Sequence, residues 1–350
     1  MINYPFEGTS HEATLIMLPY RKDIWLNSGR DAIDVIYQMA EVITKYERLI
    51  LLADPHIYHK AKVKFKLPNT MVLEIPYNDA WARDICPLFV IDDKKLKAVS
   101  FDFNAWGGLV DGLYSDYSLD ILVKEKLVKY LNIPEIKVPF ILEGGSINTN
   151  GKGVLLTTKA CLLSKGRNPQ FNEKQITEVL KTNLNQKEVI WLDNGIYGDE
   201  TNEHVDNMAV FLDEWTIALA WAEEGVQHTY SKKAYDMLKS KGFDVIKIPV
   251  PSPDLVLTSE EASQIVCDKE AKNRLVGTKL SASYINFYQS DKYILLPQFG
   301  VKEDEVACNL LEDFYKGKKE IYQIYSRPIL VSGGNIHCIT MQIPEVKHEN

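Results

Sequence analysis

Cysteine is scarce and unpatterned in this chain. Five residues in 350 (Cys86, Cys161, Cys267, Cys308 and Cys338) form no CxxC pair, and their number is odd. A disulfide framework and a zinc ribbon are therefore excluded, and free thiols fit a reducing compartment. Long apolar runs are missing too. No stretch reaches the roughly 18 apolar residues of a membrane span; the nearest, MAVFLDEWTIALAWA, is interrupted by Asp213 and Glu214. The N-terminal segment lacks both the basic start and the continuous apolar stretch of a signal peptide. Positive charge is in deficit, with Lys+Arg 40 against Asp+Glu 48 and a net charge of −8, which argues against a general nucleic-acid or polyanion binder. Neither GxGxxG nor GxxxxGK(S/T) occurs, so nucleotide binding has no motif behind it. No linker or low-complexity stretch divides residues 1–350, which reads as one domain. We read a cytosolic protein with no membrane and no nucleic-acid partner.

What is present is the balance of a globular protein, 45% hydrophobic and 25% charged. Short apolar runs rich in β-branched residues recur along the chain and read as strands. They are Thr14–Leu18, Arg48–Ala53, Thr70–Ile75, Leu88–Asp92, Ala98–Phe103, Gly153–Thr157, Glu188–Leu192, Met208–Phe211, Thr216–Trp221, Asp244–Ile248, Ser283–Phe287, Lys292–Leu296 and Pro328–Val331. Helical periodicity covers Arg30–Tyr46, Asn172–Leu184, Lys232–Lys241 and Glu303–Phe314, with Asn172 before Gln175 as an N-cap signal. The class is α/β. There is also an internal echo: FILEGGSI at Phe140–Ile147 resembles ILVSGGNI at Ile329–Ile336, and a third apolar stretch runs into paired glycines at Asn104–Gly108. Strands running into paired glycines suggest a unit used several times around a common centre.

Four clusters carry reactive groups. In GDETNEHVDN (Gly198–Asn207), His204 and Asp206 are two apart, and on an extended segment they would face one side: a proton carrier beside an anion. Taken alone, the same residues also read as a solvated acidic loop. In SGGNIHCIT (Ser332–Thr340), Cys338 follows a flexible double glycine, a setting that can hold a thiol at a loop end. It needs help to ionise at neutral pH, since its ordinary pKa is about 8.5. Cys161, Cys267 and Cys308 look like inert thiols. In YNDAWARDICP (Tyr77–Pro87), Asp84 beside Trp81 offers what a planar cation requires, acceptors in its plane and a π face above; a structural Arg83 ion pair with Trp81 in the core is the alternative. Glu143 in Leu-Glu-Gly-Gly is a carboxylate at a strand end. A metal site from His204, Asp206 and His337 is conceivable but lacks a local pattern such as HExxH. We expect neither metal nor organic cofactor.

Seven segments together resemble the signature segments of the agmatine deiminases, a family of guanidine-modifying hydrolases. They are NDAWARD (Asn78–Asp84), FNAWGGLVDGLY (Phe103–Tyr114), LEGGS (Leu142–Ser146), LLTT (Leu155–Thr158), GRNP (Gly166–Pro169), ETNEHVD (Glu200–Asp206) and GGNIHCIT (Gly333–Thr340). They run in family order across nearly the whole chain. The resemblance implies the pentein fold, an α/β propeller of five ββαβ-like units with five-fold pseudo-symmetry around a central active site. It implies hydrolysis of agmatine to N-carbamoylputrescine and ammonia, a step of polyamine (putrescine) synthesis, often in a homo-oligomer; hydrolysis of another small guanidine, or cation binding by a catalytically weak relative, are the alternatives. By motif, Cys338 is similar to the family nucleophile and His204 to the general acid/base. Asp84 and Asp206 match the guanidinium-binding carboxylates, Glu143 the acid that orients the histidine or the substrate, and Trp81 an aromatic wall. The sequence departs from the family pattern at Asn148, Tyr117, Ile85-Cys86 and Glu203, and at Leu15–Pro19, which lacks the usual tryptophans. Those positions are expected to reshape the pocket wall or the site for the distal amine.

Overall fold

The computed structural model describes residues 2–346 apart from 267 and 269, so the reading of Cys267 lies outside the described residues. One unit is written five times. Each begins with a short strand, turns into an antiparallel longer strand, crosses through a helix and returns as a third strand parallel to the second. Leu88–Asp92, Lys95–Asp102 and Glu135–Ile141 make one such sheet, extended at its edge by Ile2–Asn3. Ile147–Thr149, Val154–Thr158 and Glu188–Leu192 make the next, and Ala209–Phe211, Thr216–Trp221 and Asp244–Pro249 the third. Tyr288–Gln289, Tyr293–Gln298 and Glu320–Tyr325 make the fourth. The fifth joins the two ends of the chain: Thr340–Pro344 runs antiparallel to His11–Met17, which is parallel to Arg48–Ala53 and through it to Thr70–Glu74. The crossover helices are Val123–Leu131, Glu173–Leu184, Gly225–Ser240, Glu303–Tyr315 and Arg30–Ile43. First strands of neighbouring units pack together, Ile147–Thr149 on Ala209–Phe211 and Leu88–Asp92 on Thr340–Pro344. This is the expected pentein α/β fold with its five-fold pseudo-symmetry.

Local chemistry explains the elements. Central strands such as Thr216–Trp221 are buried along their whole length, as strands covered on both faces must be. The helix Glu173–Leu184 starts with a full capping box, the Asn172 side chain accepting from Gln175 N and the Gln175 side chain accepting from Asn172 N. It buries Ile176, Leu180 and Leu184, the i, i+4, i+8 stripe of a surface helix.

Two expected strands are not strands. Pro328–Val331 is part of a helical turn, Arg327–Leu330, with proline in its first turn, where the missing N–H costs nothing. Ser283–Phe287 forms no ladder; Ser283 Oγ donates instead to Asn207 O at 2.6 Å, and His337 N to Asn286 O. Its apolar content reflects burial between linkers. The echo therefore marks equivalent linkers between units, but only the first copy follows a strand. Asn104–Gly108 comes after a unit's second strand, a different place in the repeat. The sequence pattern does not signal the strands Ile147–Thr149, Glu320–Tyr325 and Thr340–Pro344, and of Glu135–Ile141 it signals only the end that runs into the paired glycines. Glu135–Ile141 and Glu320–Tyr325 are sheet edges; the first carries Pro139, which an edge tolerates.

Candidate active site

The repeat determines where chemistry can sit. Asp84 lies in the helical turn Ala82–Ile85 before the first strand of its unit, and Glu143 lies between Ile141 and Ile147. His204 and Asp206 precede Ala209, Asn286 precedes Tyr288, and Cys338 precedes Thr340. All five linkers thus deliver a polar side chain at the same point of the unit, and the packed first strands bring those points together. The residues Asp84, Glu143, His204 and Asp206 are buried, and Cys338 is partly exposed to a pocket.

Glycine lets the linkers touch. A Cβ on Gly145 would stand 2.7 Å from His204 Nδ1, 2.9 Å from Asp206 Oδ2 and 3.1 Å from Asp84 Oδ1. Gly145 is thus the common neighbour of three reactive side chains. A Cβ on Gly334 would stand 2.4 Å from the Trp81 ring and 3.0 Å from Cys338 Cβ, so the cysteine loop lies directly on the indole. His204 and Asp206 do share a site, but not through an extended segment: Val205–Asn207 is a tight helical turn. Likewise Cys338 follows a turn after the short helix Arg327–Leu330 rather than a strand.

Each group is fixed by named partners. Asp84 Oδ2 accepts from Trp106 Nε1 at 2.8 Å and Oδ1 from Gly145 N at 2.8 Å. Asp206 Oδ2 accepts from His337 Nδ1 at 2.8 Å and lies 3.9 Å from Cys338 Sγ. Asn286 Oδ1 is 3.3 Å from the same sulfur and accepts from His337 N. Glu143 Oε1 accepts from Arg167 Nε at 2.9 Å, and Arg167 also donates to Thr201 O and Trp106 O, tying three loops together. His204 stands 4.0 Å from Asp84 Oδ2 through Nδ1 and 4.0 Å from Glu143 Oε2 through Nε2. His337, considered above as a metal ligand, has both ring nitrogens engaged by carboxylates, Asp206 and Glu7, each at 2.8 Å.

These surroundings shift the proton equilibria. Burial disfavours charge on His204, yet the Asp84 carboxylate and the nearby Cys161 and Glu143 outweigh it and push its pKa up to about 10. Burial raises Cys338 well above the ordinary thiol range, and Asp206 and Asp84 raise it further. Burial also raises Asp84. The resting site therefore holds an imidazolium and a neutral thiol at neutral pH.

The pocket itself is lined by Trp81, Trp106, Leu113, Tyr114, Asp84, His204 and Cys338, closed on one side by Ala271, Lys272 and Arg274. Its volume is about 20 Å³, room for about one water. The closing wall is pinned by Arg274 Nη2 on Glu200 Oε2 at 2.5 Å and by a backbone bridge from Tyr114 to Ala271. A roomier cavity of about 900 Å³, lined by Tyr20, Arg30, Lys60 and Phe65 among others, holds none of the reactive groups named above.

The family model described as Porphyromonas-type peptidyl-arginine deiminase matches residues 3–344. The chain belongs to this family. It is 40% identical to the agmatine deiminase of Medicago truncatula over 98% of this chain and 96% of that one. The structure of Enterococcus faecalis agmatine deiminase superposes with a TM-score of 0.94 at 31% identity, covering 99% of this chain and 96% of that one. A Cys-to-Ser variant of C. jejuni agmatine deiminase, solved with substrate bound, superposes with a TM-score of 0.86 at 29% identity over 99% of this chain and 98% of that one.

Of the family departures, none lines this pocket. Asn148 Oδ1 accepts from Phe211 N on a neighbouring first strand, Tyr117 packs edge-on against Phe103, and Ile85 and Cys86 are core. Glu203 adopts φ +65°, a conformation that favours glycine, held by Gly195 N donating to its carboxylate at 2.9 Å. These positions tune the scaffold rather than the pocket wall. Trp106, Arg167, Asn286 and Glu7 were absent from the expected site. Trp106 and Arg167 stand inside motif segments, FNAWGGLVDGLY and GRNP, whereas no local pattern marks Glu7 or Asn286.

Proposed function

We propose that the protein is an agmatine deiminase, hydrolysing agmatine to N-carbamoylputrescine and ammonia through a covalent intermediate on Cys338. The observation that carries this is the convergence, on one aromatic-walled pocket, of a thiol, an imidazolium and the Asp84 carboxylate, with the Asp206 carboxylate buried 3.9 Å behind the thiol. Such a set suits a planar cation with a methylene tail: Asp84 and Asp206 take its N–H groups, and Trp81, Trp106 and Tyr114 cover the chain. The full-length similarity to agmatine deiminases supports the same substrate.

A guanidinium is resonance-stabilised and a poor electrophile, so holding its central carbon against the sulfur is a large part of the work; orientation can supply up to about 7–11 kcal/mol. The substrate brings positive charge beside a thiol that Asp206 and Asp84 hold neutral. Its arrival favours loss of the thiol proton to solvent. The thiolate attacks, and the protonated His204 gives its proton to the departing nitrogen, which leaves as ammonia. An amidino-thioether remains on Cys338. His204, now neutral, takes a proton from water, whose oxygen attacks the same carbon, and collapse returns the thiol and releases the ureido product. Glu143, itself fixed by Arg167, orients His204. Admission of substrate requires the Ala271–Arg274 wall to move. We further propose that residues 1–350 act as one domain, in a cytoplasmic homo-oligomer.

The test is incubation of the purified chain with agmatine, arginine and a panel of small guanidines, with ammonia and ureido product followed together. Both products from agmatine are expected. Turnover of another guanidine only would overturn the substrate, and turnover of none would overturn the reaction.

A further inference from the structure

We propose that Glu143, Cys161 and His204 form an inhibitory site for a thiophilic divalent cation of the zinc type. One carboxylate oxygen, the Cys161 sulfur and one imidazole nitrogen lie within 4.8 Å of one another, and all three residues are buried. Among the described residues Glu143 Oε2 and His204 Nε2 find no hydrogen-bond partner although each is fully enclosed, and they face each other at 4.0 Å. The deimination chemistry makes no bond to the Cys161 sulfur, which lies outside the pocket lining. It is carried on the rigid turn Lys159–Leu162, capped by Thr158 Oγ1 accepting from Cys161 N, and Thr158 Oγ1 donates in turn to Glu203 O, one residue before His204. Sulfur and histidine loops are thereby held in fixed relation.

The donor set selects the ion. A thiolate, an imidazole and one carboxylate suit zinc or cadmium, whereas magnesium and calcium want six or more oxygens. Tetrahedral zinc with bonds of about 2.0–2.3 Å places its ligand atoms about 3.5 Å apart, so the widest pair must close by little more than an ångström. Thiolate and carboxylate together balance the charge of the cation, with Arg167 on the far oxygen of Glu143 and Asp84 beside Nδ1. On binding, the S–H of Cys161 and the Nε2–H of His204 break, both protons pass to solvent, and three bonds to the cation form without any redox change. Nε2 is then occupied and His204 cannot serve as acid. That inhibition rests on the function proposed above; the binding does not.

Cadmium absorbance and zinc inhibition separate the two. The full chain titrated with Cd²⁺ should show a thiolate charge-transfer band that survives in Cys338→Ser and is lost in Cys161→Ser. Zinc should suppress ammonia release by the unmodified chain, reversibly with EDTA, while magnesium does not. The activity of Cys161→Ser, measured against its own metal-free rate, should resist zinc. A band lost in Cys338→Ser and kept in Cys161→Ser places the cation on the nucleophile and overturns the proposal, as does the absence of any band in the unmodified chain. If Cys161→Ser fails to fold by circular dichroism, His204→Gln decides: a band of undiminished cadmium affinity there overturns the site. A cadmium band without deiminase activity would leave the site standing and overturn the function.

Discussion

Asp206 and His337 are joined by a 2.8 Å hydrogen bond from the imidazole Nδ1–H to the carboxylate Oδ2. The other ring nitrogen donates to Glu7 Oε2, also at 2.8 Å, and Arg83 Nη2 meets the same oxygen at 3.0 Å. His337 is thus a cation between two carboxylates. Burial and Arg83 work against its charge, but Glu7 and Asp206 prevail and raise its pKa. Asp206 is thereby aimed, with its oxygen 3.9 Å from Cys338 Sγ.

Replacing that cation should cost both stability and turnover. His337→Ala leaves Asp206 and Glu7 buried with one partner removed, and breaking such a pair costs about 3–5 kcal/mol. Denaturant unfolding is expected to show a loss of this size, with a fall in kcat on agmatine. A loss below about 1 kcal/mol would show that the bridge does not hold the site.

Acid should open the same network from the other end. Burial alone would raise Glu7, but His337 and Arg83 overcome it and hold its pKa at about 2, below the 4.5 of the free side chain. A depressed carboxyl stabilises the fold fully above the unfolded value, and that contribution disappears as pH falls from about 4.5 through about 2. Glu7→Gln should flatten the acid limb of the stability curve in that window; an unchanged limb would refute the assignment.

Alkylation should report the state of the thiol. Because Cys338 is held neutral by burial and by Asp206 and Asp84, inactivation by iodoacetamide is expected to be slow at neutral pH and to quicken steadily towards alkaline pH. A rate already at its plateau at pH 7 would mean a resting thiolate and a different first step.

Trp106→Phe should separate the indole N–H from its ring. Phenylalanine keeps the packing against Phe103 and Tyr114 but removes the 2.8 Å bond to Asp84. A hydrogen bond to a charged group contributes about 1.5–3 kcal/mol, so kcat/KM for agmatine should drop about 10–100-fold with little change in melting temperature. Wild-type kinetics would show that Asp84 needs no such support.

Much of this was legible in the chain. Glu143, His204 and Cys338 stand in short motifs, and motif resemblance singles them out. Regular strands such as Arg48–Ala53 and Thr216–Trp221 were readable to the residue because these central strands are buried and almost wholly apolar. What escaped depends on closure. Glu7 meets His337 across 330 positions, and no local pattern announces such a partner. Asn286 sits in an apolar run that imitates a strand because its linker is buried among other linkers. The edge strands Glu135–Ile141 and Glu320–Tyr325 were harder to read because lysine, glutamate and proline sit comfortably where one side is open.

The sheet shared by the chain's two ends gives the molecule a built-in order of completion. Cys338 is two residues from Thr340, whose strand pairs, among the described residues, only with His11–Met17. Until that last strand docks, a growing or refolding chain carries its acid and its carboxylates but no sulfur beside them, and cannot attack a guanidine. The onset of turnover during refolding should therefore time the closing of the ring, not the formation of any one of its five parts.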